Sequence, residues 1–228
     1  FVDEHYYNSP EWFQKNATRY DKYDRTAPKV FAGEYAVQTV AIASPDNKNS
    51  WVTALSEAAF MTGLERNADV VYMTSYAPLF AHAEGWQWTP DLIWFNNLSS
   101  YATPNYYVQK LFSNNKGTDL LKITENGKAV TGQNKLYSSA VFDEKSKEII
   151  IKIVNADTQP KEVNLNTKNL RFDDKMIKII LSADTLDTEN SFTSEPIQPK
   201  EKSESIKRGK ISTEIPSKSV VILKINKL

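Results

Sequence analysis

The stretch KVFAGEYAV, residues 29–37, sets a carboxylate against an apolar run: Val30, Phe31 and Ala32 lead through Gly33 to Glu34, with Tyr35 and Ala36 beyond. A charge at the end of a strand of buried character is costly unless it is paired or used. With a second carboxyl about 5–5.5 Å away, such a residue can be the nucleophile of glycoside hydrolysis with retention, and at a larger separation the pair serves inversion. Taken alone, such a residue is more often a surface or salt-bridged glutamate. Upstream, DEHYY supplies His5 and Tyr6, read here as following a first strand and facing the same rim as Glu34. A tyrosine hydroxyl can hold a nucleophilic carboxylate by hydrogen bonding and tune its acidity. The plainer reading makes Tyr6 and Tyr7 packing aromatics and His5 a satisfied histidine. A third stretch, SYAPLFAHAEGWQWTPDLIWFNN, carries Trp86, Trp88 and Trp94 among His82, Glu84, Gln87 and Asp91. Indole faces pack on sugar C–H groups while nearby polar groups fix hydroxyls. The same stretch also reads as a structural loop.

Other chemistries find no foothold. The two histidines are far apart, cysteine is absent and there is no HExxH, so no metal constellation is expected. No GxGxxG, P-loop or GxSxG occurs, which leaves no cofactor motif and no serine elbow. Net charge is zero, so nothing favours nucleic acid or an acidic membrane surface. No apolar run approaches the ~18 residues of a membrane-spanning helix. The sequence begins at Phe1 without an initiator methionine and without a signal peptide, which reads as a fragment or processed product.

The elements that must position these residues divide near SNNKG, 113–117. Of the aromatic residues, 22 precede that point and 4 follow it, and all five tryptophans lie on the first side. Residues 1–115 hold 8 basic and 12 acidic side chains, and residues 116–228 hold 20 and 16. In the first part, SPEWFQKNATRYDKYDR has helical spacing with Ser9 as N-cap and Pro10 in the first turn. KVFAGEYA reads as a strand. NSWVTALSEAAFMTGLERNA is the strongest helix, with Ser50 placed to cap it. DVVYMTSYAPLFA reads as a strand ended by Pro78, and TPNYYVQKLFSNN as a last helix. Alternation of this kind implies parallel strands. The second part reads as short antiparallel strands: KLYSSAVFDEKSKEIIIKIVNAD as a hairpin turning at 143–147, then KEVNLNT, KMIKIILSAD and KSVVILKIN. QPKEKSESIKRGK, 198–210, reads as a solvated loop. The fold class is therefore α/β plus all-β, with one domain over 1–115 and another over 116–228.

Taken together, VDEHYYNSPEWF, KVFAGEYAV, LSEAAFMTGLERNADVVYMTSYAPLFA, WTPDLIWFNN and YATPNYYVQKLF resemble glycoside hydrolase family 51 α-L-arabinofuranosidases almost continuously over residues 1 to about 112. The resemblance implies a retaining hydrolase that releases terminal α-L-arabinofuranosyl units from arabinan- or arabinoxylan-type glycans without a cofactor. It implies that residues 1–115 are strands 6 to 8, with their helices, of a (β/α)8 barrel, and that a jelly-roll-like β-sandwich follows. Glu34 matches the nucleophile, His5 and Tyr6 match the strand-6 motif in which a tyrosine contacts it, and Trp88 and Asp91 fall in the loop bordering the arabinose pocket. The family's acid/base glutamate, in an Asn-Glu motif before strand 6, has no counterpart here. The chain is thus expected to be inactive alone, to need the missing N-terminal part of the same enzyme, and to associate into a homo-oligomer through its open edges or adjust locally. A periplasmic or extracellular location follows if a longer parent carries a signal peptide. The alternative is a non-catalytic module, either carbohydrate-binding or purely structural, and the absence of Trp from 116–228 favours the structural role for the sandwich.

Overall fold

A computed structural model describes residues 1–167, 171–206 and 210–228. The first part runs β1 (Val2–Asn8), α1 (Pro10–Lys15), β2 (Val30–Val37), α2 (Trp51–Arg66), β3 (Val71–Thr74), β4 (Phe80–His82), β5 (Ile93–Phe95), β6 (Ser100–Ala102) and α3 (Pro104–Asn114). The second runs β7 (Asp119–Leu121), β8 (Thr124–Glu125), β9 (Lys128–Ala129), β10 (Leu136–Asp143), β11 (Glu148–Asn155), β12 (Lys161–Leu165), β13 (Phe172–Ser182), β14 (Lys200–Ser205), β15 (Ile211–Ile215) and β16 (Ser219–Lys227).

β1, β2 and β3 form a parallel sheet in that order, connected through α1 and α2. α2 is buried along nearly its whole length because it separates two sheets. On one side it meets Tyr6, Phe13 and Tyr35, which pack edge-on around Phe60 at 5.2–6.0 Å. On the other it meets the six-stranded antiparallel sheet ordered β14-β13-β16-β11-β10-β7.

That sheet is buried on both faces, which explains the near-continuous apolar runs EIIIKIVN and SVVILKINK. Ile150, Val154, Val220 and Ile222 point at α2 and share one core with the parallel sheet. Ile149, Ile151, Ile153, Val221 and Leu223 point the other way, against Ile211 and Ile215 of the β12–β15 pair, and close a sandwich core. The packing continues across residue 115: the Trp51 indole donates to Lys218 O at 2.8 Å, and the first N–H groups of α2 donate to Thr188 O and Leu186 O, both at 2.8 Å.

Several elements differ from the sequence expectation. The helix expected from Ser9 onward ends at Lys15, where Asn16 turns its amide back on Trp12 O at 2.8 Å. Ser9 does cap it, accepting from Trp12 N. Ser50 stands at the N-cap of α2 but makes no side-chain cap bond, since carbonyls of residues 186 and 188 take that role. The strand expected over DVVYMTSYAPLFA is two short ones, β3 and β4, on different sheets. The loop expected over 198–210 contains β14, a charged strand at the sheet edge, where side chains such as Lys200, Glu201 and Lys202 suit an exposed border. Residues 207–209 of that stretch lie outside the described residues.

Candidate active site

β1 and β2 pair in parallel, and the register brings His5 beside Glu34, Tyr6 beside Tyr35 and Tyr7 beside Ala36. The pairing slips between Asp3 and His5, so that Asp3 sits beside Phe31 and an extra residue of β2 is accommodated at Ala32–Gly33. A bulge of this kind re-aims the side chain that follows it. Here it puts Glu34 on the face of Asp3, His5 and Tyr7. Gly33 permits the arrangement, because a Cβ at this position would fall inside the Asp3 carboxylate.

The Tyr7 hydroxyl donates to Glu34 Oε2 at 2.6 Å. His5 Nδ1 lies 3.6 Å from the same oxygen, and its Nε2 lies 3.1 Å from Asp3 Oδ2. Asp3 therefore orients the imidazole beside the glutamate. Burial, then the hydrogen bond to Glu34 and its charge, push the Tyr7 phenol well above its usual range, so Tyr7 keeps its proton and acts as donor. The Glu34 side chain is 43% exposed, which leaves Oε1 accessible. The expectation that Glu34 ends its strand is corrected: it is the fifth residue of eight in β2. Likewise DEHYY is not a loop after β1 but lies within it.

Tyr6 does not face Glu34. Successive residues of a strand point to opposite faces, so His5 and Tyr6 cannot serve the same site from regular β backbone. Tyr6 is buried under α1, stacked beside Trp12 at 5.5 Å, and its hydroxyl donates to the Glu4 carboxylate, meets the Tyr20 hydroxyl and accepts from Arg19 Nε at 3.1 Å. The residue that sequence reasoning passed over is Tyr7, and alternation from His5 was the signal that could have found it.

Trp88 and Asp91 differ in burial. Trp88 is on the surface, whereas Asp91 is buried in the loop between β4 and β5. Asp91 N donates to Asn49 Oδ1 at 2.9 Å, and burial raises its carboxyl to about 6. Among the described residues neither one hydrogen-bonds to the Glu34 cluster. A deeper polar set underlies the sheet. Glu57 of α2 accepts from Val37 N at 2.9 Å and is buried, which raises its carboxyl to about 8. Asn49 donates to the Tyr76 hydroxyl and to Asn105 Oδ1 at 3.0 and 3.1 Å. Among the described residues no group of three or more potential metal ligands comes together, and no helix is long and apolar enough to cross a membrane.

The fold, a parallel sheet packed on an antiparallel sandwich, is matched among known proteins. The pattern that defines the family described as Alpha-L-arabinofuranosidase C-terminal domain matches residues 33–219. An extracellular exo-α-L-arabinofuranosidase from Streptomyces chartreusis is 62% identical over 116 residues, covering 51% of this chain and 13% of that protein. Alpha-L-arabinofuranosidase 2 from Arabidopsis thaliana is 37% identical over 198 residues, covering 85% of this chain and 28% of that protein. In three dimensions the chain superposes on an arabinose-bound GH51 α-L-arabinofuranosidase with a TM-score of 0.88 at 28% identity, covering 99% of this chain and 37% of that one. The chain thus spans well under half the length of these relatives. It belongs to the α-L-arabinofuranosidase C-terminal domain family and corresponds to the C-terminal portion of the glycoside hydrolase family 51 α-L-arabinofuranosidases.

Proposed function

We propose that this chain contributes the nucleophile half of a retaining α-L-arabinofuranosidase acting on terminal α-L-arabinofuranosyl residues of arabinan- or arabinoxylan-type glycans. In this reading residues 1–115 are the last three strands of a (β/α)8 catalytic barrel, and residues 116–228 are the sandwich that braces it. The observation that carries it is the Tyr7–Glu34 hydrogen bond of 2.6 Å on the face of a parallel sheet, within a domain of this family. With Oε2 committed to Tyr7, Oε1 is the oxygen free to attack the anomeric carbon. The C1–O bond to the leaving group breaks as the ester to Glu34 forms, and the departing oxygen takes a proton from a second carboxyl group. Water, deprotonated by that carboxylate, then cleaves the ester and releases arabinose with retained configuration. Tyr7 stabilises the carboxylate before attack, and His5, held by Asp3, adds a polarising contact beside it.

The acid/base carboxyl comes, on this proposal, from sequence outside these 228 residues. General acid–base assistance contributes roughly 10²–10⁴-fold, so the chain alone does not turn over p-nitrophenyl α-L-arabinofuranoside at a useful rate. The decisive experiment uses the longer enzyme: a 2-fluoro-arabinofuranosyl inactivator followed by peptide mass spectrometry places the covalent sugar on Glu34, and Glu34→Gln abolishes labelling. A label on any other residue refutes the assignment. Steady turnover by the 228-residue chain alone refutes the division of labour.

A further inference from the structure

We propose that a small cavity between the β4–β6 loops and the sandwich, walled by Trp86, Trp94 and Tyr101 and closed at its mouth by Lys48 and Glu189, is a binding subsite for a single pentosyl unit of the glycan. The cavity holds about 200 Å³. Sites for drug-sized ligands run to roughly 300–1,000 Å³, so this one suits one monosaccharide ring rather than an oligomer. None of its lining residues belongs to the Glu34 cluster.

Its chemistry is that of a sugar site. Trp86 and Trp94 meet at 6.1 Å and 74°, which makes an aromatic corner against which C–H faces can pack. Trp94 of β5 lies directly across from Tyr101 of β6, so their side chains share one face. Tyr101 is held from behind by Phe192 at 4.8 Å. The mouth offers a cation and an anion together, Lys48 Nζ and Glu189 Oε1 at 3.0 Å. A sugar hydroxyl both donates and accepts, so a neutral pair of this kind can serve adjacent hydroxyls without selecting for an ion. Among the described residues the Tyr101 hydroxyl and both indole N–H groups make no hydrogen bond, and they remain for a ligand.

The walls are held in place without one. Thr89 Oγ1 donates to Asn47 O at 2.9 Å, Asp91 N to Asn49 Oδ1 at 2.9 Å, and Asn190 Nδ2 to Ala102 O at 2.9 Å. These bonds tie the 45–49 segment, the aromatic loop and the sandwich loop together, so little ordering remains to be done on binding. The sandwich thus helps bind glycan although 116–228 contains no tryptophan, because the aromatic wall comes from the first part of the chain. Restriction to a pentosyl ligand rests on the proposed function, whereas the cavity's suitability for a sugar rests on its own residues.

The test is calorimetric titration of the 228-residue chain with arabinotriose, xylotriose and cellotriose, which needs no turnover. Arabinotriose binding is expected, weakened at least threefold in Trp86→Ala, whose side chain is partly exposed, and in the conservative Tyr101→Phe. Binding of none of the three, or binding that survives both pocket substitutions, overturns the proposal. Pocket-dependent binding of cellotriose alone overturns the pentosyl assignment. Because the Glu34 label is read in the longer enzyme, failure of this subsite and failure of the catalytic assignment are separate outcomes.

Discussion

Lys152 tests the junction between the two parts of the chain. It interrupts the apolar run EIIIKIVN at a position that alternation aims at α2, between Ile150 and Val154. Its side chain is fully buried, with Nζ 2.6 Å from Glu65 Oε1 and 2.6 Å from Asn115 O, over the Phe112 ring at 5.5 Å. Burial lowers the lysine's pKa and Glu65 restores part of that shift, so the partner is what keeps the ammonium tolerable. Removing one member of a buried pair costs about 3–5 kcal/mol, because the other is left charged without compensation. Glu65→Gln is therefore expected to destabilise by about 3 kcal/mol, at the low end of that range because Asn115 O remains as an acceptor. At about 2–4 °C per kcal/mol for a chain of this size, the melting point falls by about 6–12 °C. Lys152→Met should cost less, since Glu65 is 15% exposed and keeps a hydrogen bond from Ser139. The double variant Glu65→Leu/Lys152→Met should lie near the parent, as apolar replacement of a buried pair often does. Urea unfolding should be followed by two probes. Tryptophan fluorescence reports residues 1–115, which hold all five indoles, and far-UV circular dichroism reports mainly the strands of the sandwich. One coincident transition is expected in the parent, because a single core crosses residue 115. A Glu65→Gln variant within about 1 kcal/mol of the parent, or a Lys152→Met variant worse than Glu65→Gln, would refute the argument from an uncompensated buried charge.

Three further outcomes follow from particular contacts. Gly63 faces the Ala17 backbone carbonyl, which cannot swing aside, so Gly63→Ala should destabilise by about 1–3 kcal/mol, read by thermal melts. Gly33 faces the Asp3 carboxylate, the mobile end of a side chain, so Gly33→Ala should cost less, and its cost should shrink further in an Asp3→Ala background; equal cost in both backgrounds counts against the bulge argument. Glu57, raised to about 8 by burial from 4.5, keeps its proton in the folded chain where the unfolded chain has lost it. Below pH 4.5 both states hold the proton and nothing is lost. As pH rises from there to about 8, stability should fall by up to about 1.4 kcal/mol per unit, a slope that Glu57→Gln should remove in melts across that range.

Much of the fold is legible in the sequence because it is written in strong local signals. Ser9 and Pro10 announce α1, Pro104 marks the start of α3, and the polar turn at 143–147 joins two strand-like runs into the β10–β11 hairpin. What stays hidden depends on neighbours distant in sequence. QPKEKSESIKRGK looks solvated, yet part of it is β14, because its hydrogen bonds go to β13 and an edge strand can be wholly charged. Ser50 looks like a cap, yet carbonyls from residues 186 and 188 occupy that role.

The candidate site shows the same division more sharply. Glu34 is legible as a carboxylate in an apolar strand, but its partner depends on a register that no single strand encodes. In β1 the odd positions Asp3, His5 and Tyr7 share a face, and in β2 an uninterrupted pleat would place Phe31, Gly33 and Tyr35 together. Without the bulge at Ala32–Gly33, Glu34 would fall in phase with Tyr6 and point toward the helices. With it, Tyr35 and Tyr6 go to the core and Glu34 meets Tyr7. A one-residue slip in a strand exchanges its faces. The glycine before the glutamate is therefore part of the site: it makes room for Asp3 at the irregular step, and the step decides which tyrosine holds the carboxylate.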